Sequence, residues 1–181
     1  MTRGTGLRFA AIGIALMAPL MMAALVATGC KPAAAPSTGE LAPEFVLPSI
    51  GGQTRKLSNY RGKVVLVNLW ATWCPPCIEE LPVLSRIASD YADRGLVVLG
   101  IAGDEDTQLV RDFLARSPVK FEVLLDTRGV IGTQYGITGY PETFFVDRQG
   151  RLRNKIIGPV PHQGAEPGSE LIRTIDELLG G

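Results

Sequence analysis

The chain has 181 residues, and its 18 lysines and arginines balance its 18 aspartates and glutamates. That length suits a single domain with an appendage, and 46% hydrophobic residues is an ordinary share for a globular protein. The balanced charge, without a basic run or stripe, argues against nucleic acid as a partner.

The N-terminal segment has the pattern of a secretory signal. Two arginines precede an apolar run at residues 9–28, and a glycine and Cys30 follow it. A basic start followed by an apolar stretch is typical of signal peptides, so residues 1–30 are expected to form one. Their ending is similar to a bacterial lipobox, although Ala27 stands where that pattern prefers leucine. We therefore expect Cys30 to carry a lipid.

Two other interpretations of this segment stay open. The apolar run is about 20 residues long, which is enough for an uncleaved anchor that spans a bilayer. Ordinary signal cleavage without a lipid is the other alternative. All three interpretations place the folded part outside the cytoplasm, on the periplasmic side, and a tethered protein is expected from two of them.

The next segments connect the signal to a folded domain. Residues 31–40 are rich in proline and alanine and lack large apolar side chains, which predicts a flexible tether. The domain is expected to occupy residues 41–181. Phe45 and Leu47 alternate with polar or small residues, and Gly51-Gly52 follows, so the pattern predicts an N-terminal β-hairpin.

The rest of the domain alternates apolar strands with amphipathic helices. Strands are predicted at residues 64–70, 96–101, 121–125, 143–147 and 151–157. Helices are predicted at about 75–91, from a cap at 106 or 107 through 116, and from 169 or 170 onwards. A short helix that contains Val130, Ile131 and Tyr135 is predicted after a cap at Asp126-Thr127. This alternation predicts an α/β fold with a mostly parallel sheet covered on both faces. The last two strands form a hairpin and are expected to add an antiparallel edge.

The motif Trp73-Cys74-Pro75-Pro76-Cys77 lies where the strand 64–70 gives way to a helix. The N-terminus of a helix favours a thiolate, because its N–H groups and its dipole stabilise negative charge. In such Cys-X-X-Cys sites the thiol pKa falls from about 8.5 to roughly 3.5–7.5. Since the thiolate is the attacking species in thiol–disulfide exchange, the position predicts a redox-active pair.

Two other uses of the cysteine pair are disfavoured. A zinc site needs two more ligands, and the chain offers only Cys30 and His162, neither at metal-ligand spacing. A structural disulfide over so short a loop would stabilise the fold little, because stabilisation grows with loop length. No metal and no other cofactor is expected, and His162 is interpreted as a surface residue in a loop.

Two blocks of sequence resemble a known group of proteins. Residues 68–82, Asn-Leu-Trp-Ala-Thr-Trp-Cys-Pro-Pro-Cys-Ile-Glu-Glu-Leu-Pro, look like the TlpA/ResA/DsbE (CcmG) group of the thioredoxin superfamily. Residues 139–147, Gly-Tyr-Pro-Glu-Thr-Phe-Phe-Val-Asp, look most like its DsbE/CcmG branch. The resemblance extends over roughly residues 41–179. It implies a thioredoxin-like fold with a central helix–strand insertion at about 107–125.

The same resemblance implies a function. Members of the group are extracytoplasmic, membrane-tethered thiol–disulfide oxidoreductases, and they act mainly as reductants in cytochrome c maturation. The implied partners are apocytochrome c or a Cys-X-X-Cys maturation partner, with a membrane thiol protein as electron donor. Pro75-Pro76 is shared across several branches, so it does not define the substrate.

The thiol chemistry is assigned to three residues. Cys74 is expected to be the exposed nucleophile that forms a mixed disulfide, and Cys77 the deeper thiol that resolves it. Glu80 follows Cys77 by three residues on the same helix and shares its face. A partly buried carboxylate there would have a raised pKa suited to proton exchange with Cys77. The alternative is that Glu80 is an ordinary surface charge.

Four further residues are expected to contact the substrate. The resemblance implies that Pro141 is a cis-proline, which would present a backbone edge for strand addition beside the cysteines; a trans turn proline is the alternative. Tyr140 precedes it in the same block. Trp73 is expected to shield one side of the pair, or else simply to pack. Glu142 is expected to line the groove, or else to be a solvated charge.

Three competing functions are weighed against the sequence. A general oxidase or isomerase of secreted proteins would use the same cysteines at a higher reduction potential. A copper-site assembly protein would need Cys-X-X-X-Cys and a nearby histidine, and this chain has neither. A peroxidase of the peroxiredoxin type would need a threonine at Ala71, three residues before Cys74.

Overall fold

A five-stranded mixed sheet forms the centre of the computed structural model. The structure describes residue 1, residues 35–161 and residues 165–180. The predicted signal from residue 2 onwards with Cys30, the first four residues of the tether, and His162 lie outside these residues. Within them, no helix is long and apolar enough to cross a membrane.

The described elements agree closely in position with the predicted ones. The strands are β1 (Val46–Pro48), β2 (Thr54–Lys56), β3 (Val64–Trp70), β4 (Leu96–Ala102), β5 (Glu122–Leu125), β6 (Glu142–Val146) and β7 (Leu152–Ile157). The α-helices are α1 (Pro75–Asp90), α2 (Thr107–Arg116), α3 (Val130–Tyr135) and α4 (Glu170–Gly180). Strands β1 and β2 pair as the predicted N-terminal hairpin.

The sheet has the strand order β5-β4-β3-β6-β7. The pairs β3–β4 and β4–β5 are parallel, whereas β3–β6 and β6–β7 are antiparallel. The sequence predicts a mostly parallel sheet, but the pairings divide equally. Residues 126–141, which include α3, connect β5 to β6 without crossing back along the sheet. β6 therefore starts at the end of the sheet where β5 stops and runs antiparallel to β3.

Apolar side chains cover both faces of the sheet, as expected for this fold class. One face packs against the hairpin and α3 through residues that include Phe45, Leu57 and Tyr135. The other face packs against α1 and α4 through residues that include Leu84 and Ile175. A third apolar cluster lies at the carboxyl end of β3 and β4 and includes both cysteines of the motif.

Helix ends are fixed by side chains near the sheet. The carboxylate of Asp106 accepts a hydrogen bond from the backbone N–H of Gln108 and caps α2. Asp126 accepts from the N–H groups of Val130 and Ile131 at the start of α3. These caps satisfy N–H groups that the first helical turn leaves unpaired, and they hold α2 and α3 beside the end of the sheet that carries the cysteines.

Candidate active site

The cysteine pair lies at the junction of β3 and α1, as the sequence predicted. Cys74 is the residue before the first helical position, and Cys74 and Cys77 form a disulfide with an S–S length of 2.05 Å. Cys74 keeps 5% of its surface exposed and Cys77 keeps 0%. The order of accessibility matches the expected roles, although Cys74 is less open than an exposed nucleophile was expected to be.

The first turn of α1 offers few donors to a thiolate. Pro75 and Pro76 occupy the first two helical positions and have no N–H group. The backbone N–H of Ile78 already donates to the carbonyl of Cys74 at 3.2 Å. Cys77 therefore contributes the first N–H of the helix that can face a sulfur anion at Cys74. Fewer donors stabilise the thiolate less, which disfavours a strongly oxidising disulfide.

Glu80 is buried one turn beyond Cys77, with 1% of its surface exposed. Its Oε1 accepts a 2.7 Å hydrogen bond from the side-chain amide of Asn68. Its Oε2 accepts a 2.6 Å bond from the backbone N–H of Val160. Burial raises the pKa of Glu80 to about 7, even though both hydrogen bonds favour the charged form and lower it. The interpretation of Glu80 as a surface charge is excluded.

A buried polar network links Glu80 to the sheet. The amide of Asn68 on β3 donates to Glu80 and also, at 3.1 Å, to the hydroxyl of Thr143 on β6. Asn68 and Thr143 are both fully buried. This network holds α1, β3 and β6 together beneath the disulfide. The sequence did not reveal Thr143 or Val160, because both are far from the motif along the chain.

Pro141 follows a cis peptide bond, as the resemblance implied. Its carbonyl accepts a hydrogen bond from the backbone N–H of Gly158 at 3.0 Å, and proline has no N–H of its own. Pro141 therefore has no N–H to offer a partner, and its carbonyl is already paired within the domain.

Tyr140 and Trp73 meet at the rim of the disulfide. Their ring centroids are 5.6 Å apart with the planes at 76°, an edge-to-face contact. Trp73 has 64% of its surface exposed, so simple packing does not account for it. Burial raises the pKa of Tyr140, and the carboxylates of Asp126 and Asp104 add to the effect.

The structure places Glu142 in the interior and not along an open groove. Its side chain is fully buried on β6. Its Oε1 accepts hydrogen bonds from the backbone N–H and the hydroxyl of Thr138, at 2.8 and 3.0 Å. The Nζ of Lys155 on β7 lies 3.6 Å from Oε2. Neither the groove-lining role nor the solvated charge considered from the sequence fits this position.

Asp104 fixes the loop before Cys74 and was not identified from the sequence. It follows β4, is 2% exposed, and accepts hydrogen bonds from both the backbone N–H and the hydroxyl of Thr72. Gly103 beside it leaves space for Tyr140, because a Cβ there would collide with the phenol hydroxyl. The loops that carry Cys74 and Pro141 are thus both positioned from the end of β4.

The described residues contain no cluster of three or more histidine, cysteine, aspartate or glutamate side chains able to hold a metal ion. The chemistry that the site supports is thiol exchange. The site combines the slightly accessible sulfur of Cys74, the buried sulfur of Cys77 and the buried carboxylate of Glu80, whose pKa is about 7.

Comparison with known proteins gives consistent relatives. The AhpC/TSA family matches residues 38–155. The thiol-disulfide oxidoreductase ResA of Geobacillus thermodenitrificans is 31% identical over 137 residues, which are 76% of this chain and 79% of ResA. A crystal structure described as a thiol:disulfide interchange protein DsbE from Chlorobium tepidum is similar at a TM-score of 0.73 and 31% identity, covering 81% of this chain and all of that one. The exposed lipoprotein thioredoxin of Streptococcus pneumoniae is similar at a TM-score of 0.65 and 29% identity, over 75% of this chain and all of that one.

Proposed function

Because this chain belongs to the AhpC/TSA family and is a thiol–disulfide oxidoreductase with a thioredoxin-like fold, we propose that it is a membrane-tethered extracytoplasmic reductant. Its proposed substrate is a disulfide in apocytochrome c or in a Cys-X-X-Cys partner of cytochrome c maturation. The observation that supports this most is the pairing of a Cys-Pro-Pro-Cys disulfide with the buried carboxylate of Glu80, whose pKa is about 7.

The proposed reaction begins with the reduced protein. The Cys74 thiolate attacks one sulfur of the substrate disulfide, which forms a mixed disulfide and releases the other substrate sulfur as a thiolate. Glu80 takes the proton of Cys77, and the Cys77 thiolate attacks Cys74. The second substrate thiol leaves, so the substrate gains two electrons and the protein ends as the Cys74–Cys77 disulfide. A membrane thiol protein is proposed to reduce that disulfide again.

The need for such a reductant follows from the chemistry of haem attachment. A Cys-X-X-Cys-His motif accepts haem through its cysteines, and both thiols must be reduced for that bonding. An oxidising compartment works against this state. The proposed location rests on the signal pattern at residues 1–30, on the lipid site expected at Cys30, and on the likeness to an exposed lipoprotein thioredoxin.

A substrate trap tests the proposal. Cys77→Ser cannot resolve the mixed disulfide, so Cys74 should stay linked to its target, which mass spectrometry then identifies. Cys74→Ser is the matched control, because it lacks the attacking sulfur and should capture far less. Apocytochrome c or a Cys-X-X-Cys maturation partner is the expected captured protein.

Other outcomes favour the competing functions. A broad set of secreted disulfide proteins in the trap would indicate a general oxidase or isomerase. Its reduction potential would lie near −120 mV rather than near the roughly −270 mV of thioredoxin. An empty trap together with stoichiometric copper binding would favour the copper-assembly function.

A further inference from the structure

Glu142 has the position of a residue that closes a loop. It is the first residue of β6, and Thr138, whose two donors it accepts, starts the loop that leads to it. The backbone N–H of Thr138 lies 2.8 Å from Oε1 and its hydroxyl 3.0 Å from the same oxygen. The carboxylate of Glu142 therefore links the last residue of segment 138–142 to its first residue, Thr138.

The enclosed segment packs through Tyr140 against the apolar cluster around the disulfide. This cluster contains both Cys74 and Cys77. The ring of Tyr140 also contacts Trp73. Gly139, at the start of the enclosed segment, has no side chain to restrict the backbone. The carboxylate bridge is thus one of the contacts that limit the shapes this segment can adopt, together with the Tyr140–Trp73 ring contact and the bond from Gly158 to the carbonyl of Pro141.

Lys155 provides the counter-charge for this bridge. Its Nζ lies 3.6 Å from Oε2 of Glu142 and 5.8 Å from the centre of the Phe144 ring. The Lys155 side chain keeps 37% of its surface exposed, whereas that of Glu142 keeps 1%. A fully buried carboxylate without a partner would be strongly destabilising. The amine of Lys155, which reaches in from the edge strand, places an opposite charge beside this buried carboxylate.

We propose that Glu142 is a positioning residue for substrate: it holds the 138–142 loop in the shape that presents the backbone of Tyr140 beside Cys74. This inference rests on the proposed thiol–disulfide exchange and adds a residue that acts through Thr138 and not by touching the substrate. An extended partner pairs with a fixed backbone edge more tightly than with a mobile one, since less conformational entropy is lost on binding. Loss of the bridge should therefore weaken substrate binding and leave the cysteine chemistry unchanged.

The test compares steady-state kinetics of variants with a synthetic peptide disulfide that carries a Cys-X-X-Cys pair. Glu142→Ala is expected to raise KM about tenfold, the scale of one charge-assisted hydrogen bond, with kcat within about twofold and the reduction potential unchanged. Glu142→Gln keeps an acceptor for Thr138 but not the charge, so it should raise KM to an intermediate value. If Glu142→Ala does not fold, the KM of Glu142→Gln alone tests the positioning role.

Glu122→Gln is the matched control. Glu122 is also a carboxylate on a strand, held by Arg55 at 2.7 Å and by the hydroxyl of Tyr60 at 2.6 Å. Glu122 lies on β5, outside segment 138–142, so the KM of the Glu122→Gln variant should equal that of the wild type.

An unchanged KM in folded Glu142→Ala and Glu142→Gln would overturn the positioning role. A fall in kcat at constant KM would overturn it too, because the chemistry itself would then depend on Glu142. A wild-type protein that does not react with the peptide would instead refute the proposed function.

Discussion

The backbone N–H of Val160 donates a 2.6 Å hydrogen bond to the carboxylate of Glu80. This bond joins the segment before α4 to the helix that carries the disulfide. It places a main-chain donor on a carboxylate that is almost completely removed from water. Two donors and burial act in opposite directions on the proton affinity of Glu80, and burial prevails.

The stability of the oxidised protein should depend on pH through Glu80. The pKa of this carboxyl is about 7 in the fold and 4.5 ordinarily, so between these pH values the folded chain binds more protons than the unfolded one. The free energy of unfolding should therefore fall as the pH rises from 4.5 to 7, by about 3 kcal/mol in all. Urea unfolding at a series of pH values measures this. Glu80→Gln should remove the slope, and Glu79→Gln, a change in its exposed neighbour, should preserve it. A slope that survives in Glu80→Gln would assign the titration to another group.

Asp104 should contribute to stability through Thr72. Asp104→Ala leaves the part-buried backbone N–H and hydroxyl of Thr72 without their acceptor. This loss should lower the free energy of unfolding by about 2 kcal/mol. Glu105→Ala alters the exposed neighbouring carboxylate and should change it by less than about 0.5 kcal/mol. Urea unfolding of both variants provides the comparison. Equal effects in the two would show that the Thr72–Asp104 contact adds nothing.

Gly103 should be coupled energetically to Tyr140. Gly103→Ala introduces a Cβ that collides with the phenol, and overpacking of this kind destabilises by roughly 1–3 kcal/mol. The same change in a Tyr140→Ala background should cost much less, because the colliding ring is absent. Gly139→Ala, at a position with nothing within 4 Å of a new Cβ, is the control for a change of glycine itself. Additive effects of Gly103→Ala and Tyr140→Ala would contradict the coupling.

Trp73 should affect substrate binding more than folding. With 64% of its surface exposed, Trp73→Ala should change the free energy of unfolding by less than about 0.5 kcal/mol. It should raise KM for a peptide disulfide severalfold, since an exposed aromatic side chain at a binding rim contributes to affinity. Leu109→Ala, which removes another exposed apolar side chain, 52% exposed on α2, should alter neither quantity. A large fall in the free energy of unfolding of Trp73→Ala would show that Trp73 serves mainly in packing.

Lipidation at Cys30 is a separate prediction from the sequence. Cys30→Ser should leave the precursor uncleaved by the lipoprotein peptidase, which electrophoresis of the expressed protein detects. Cys74→Ser should be processed normally, because its cysteine lies in the folded domain. Mass spectrometry of the native protein should find an acyl group on Cys30, and a mature protein without one would reject the prediction.

Local patterns in the sequence account for most of the fold. The run of apolar residues in 64–70 and the proline pair after Cys74 predict β3 and the start of α1 at the residues where the structure has them. The pattern also locates strand β6 to within one residue, but it does not indicate that β6 runs antiparallel to β3. The direction of β6 depends on whether residues 126–141 return along the sheet before β6 begins, which no local pattern encodes.

Local sequence patterns likewise predict only part of the active site. The cysteines and the burial of Glu80 follow from spacing on one helix. Asp104, Thr143 and Val160 reach the site from separate elements, so only the folded chain brings them together. The place of Glu142 after Pro141 suggests a groove, whereas β6 lies between β3 and β7 and is buried at all five of its positions, including Glu142.

The two outer strands of the sheet have consequences for solubility. On one side, Ser49 bridges to Leu124 and the N–H of Ile50 donates to Val123, so the hairpin region covers β5. On the other side, β7 carries Arg153 and Lys155 along its exposed positions. Covered or positively charged edges resist strand-by-strand aggregation between copies of a protein. The chain can therefore expose apolar side chains such as Trp73 for recognition without offering a neighbouring molecule an open strand on which to polymerise.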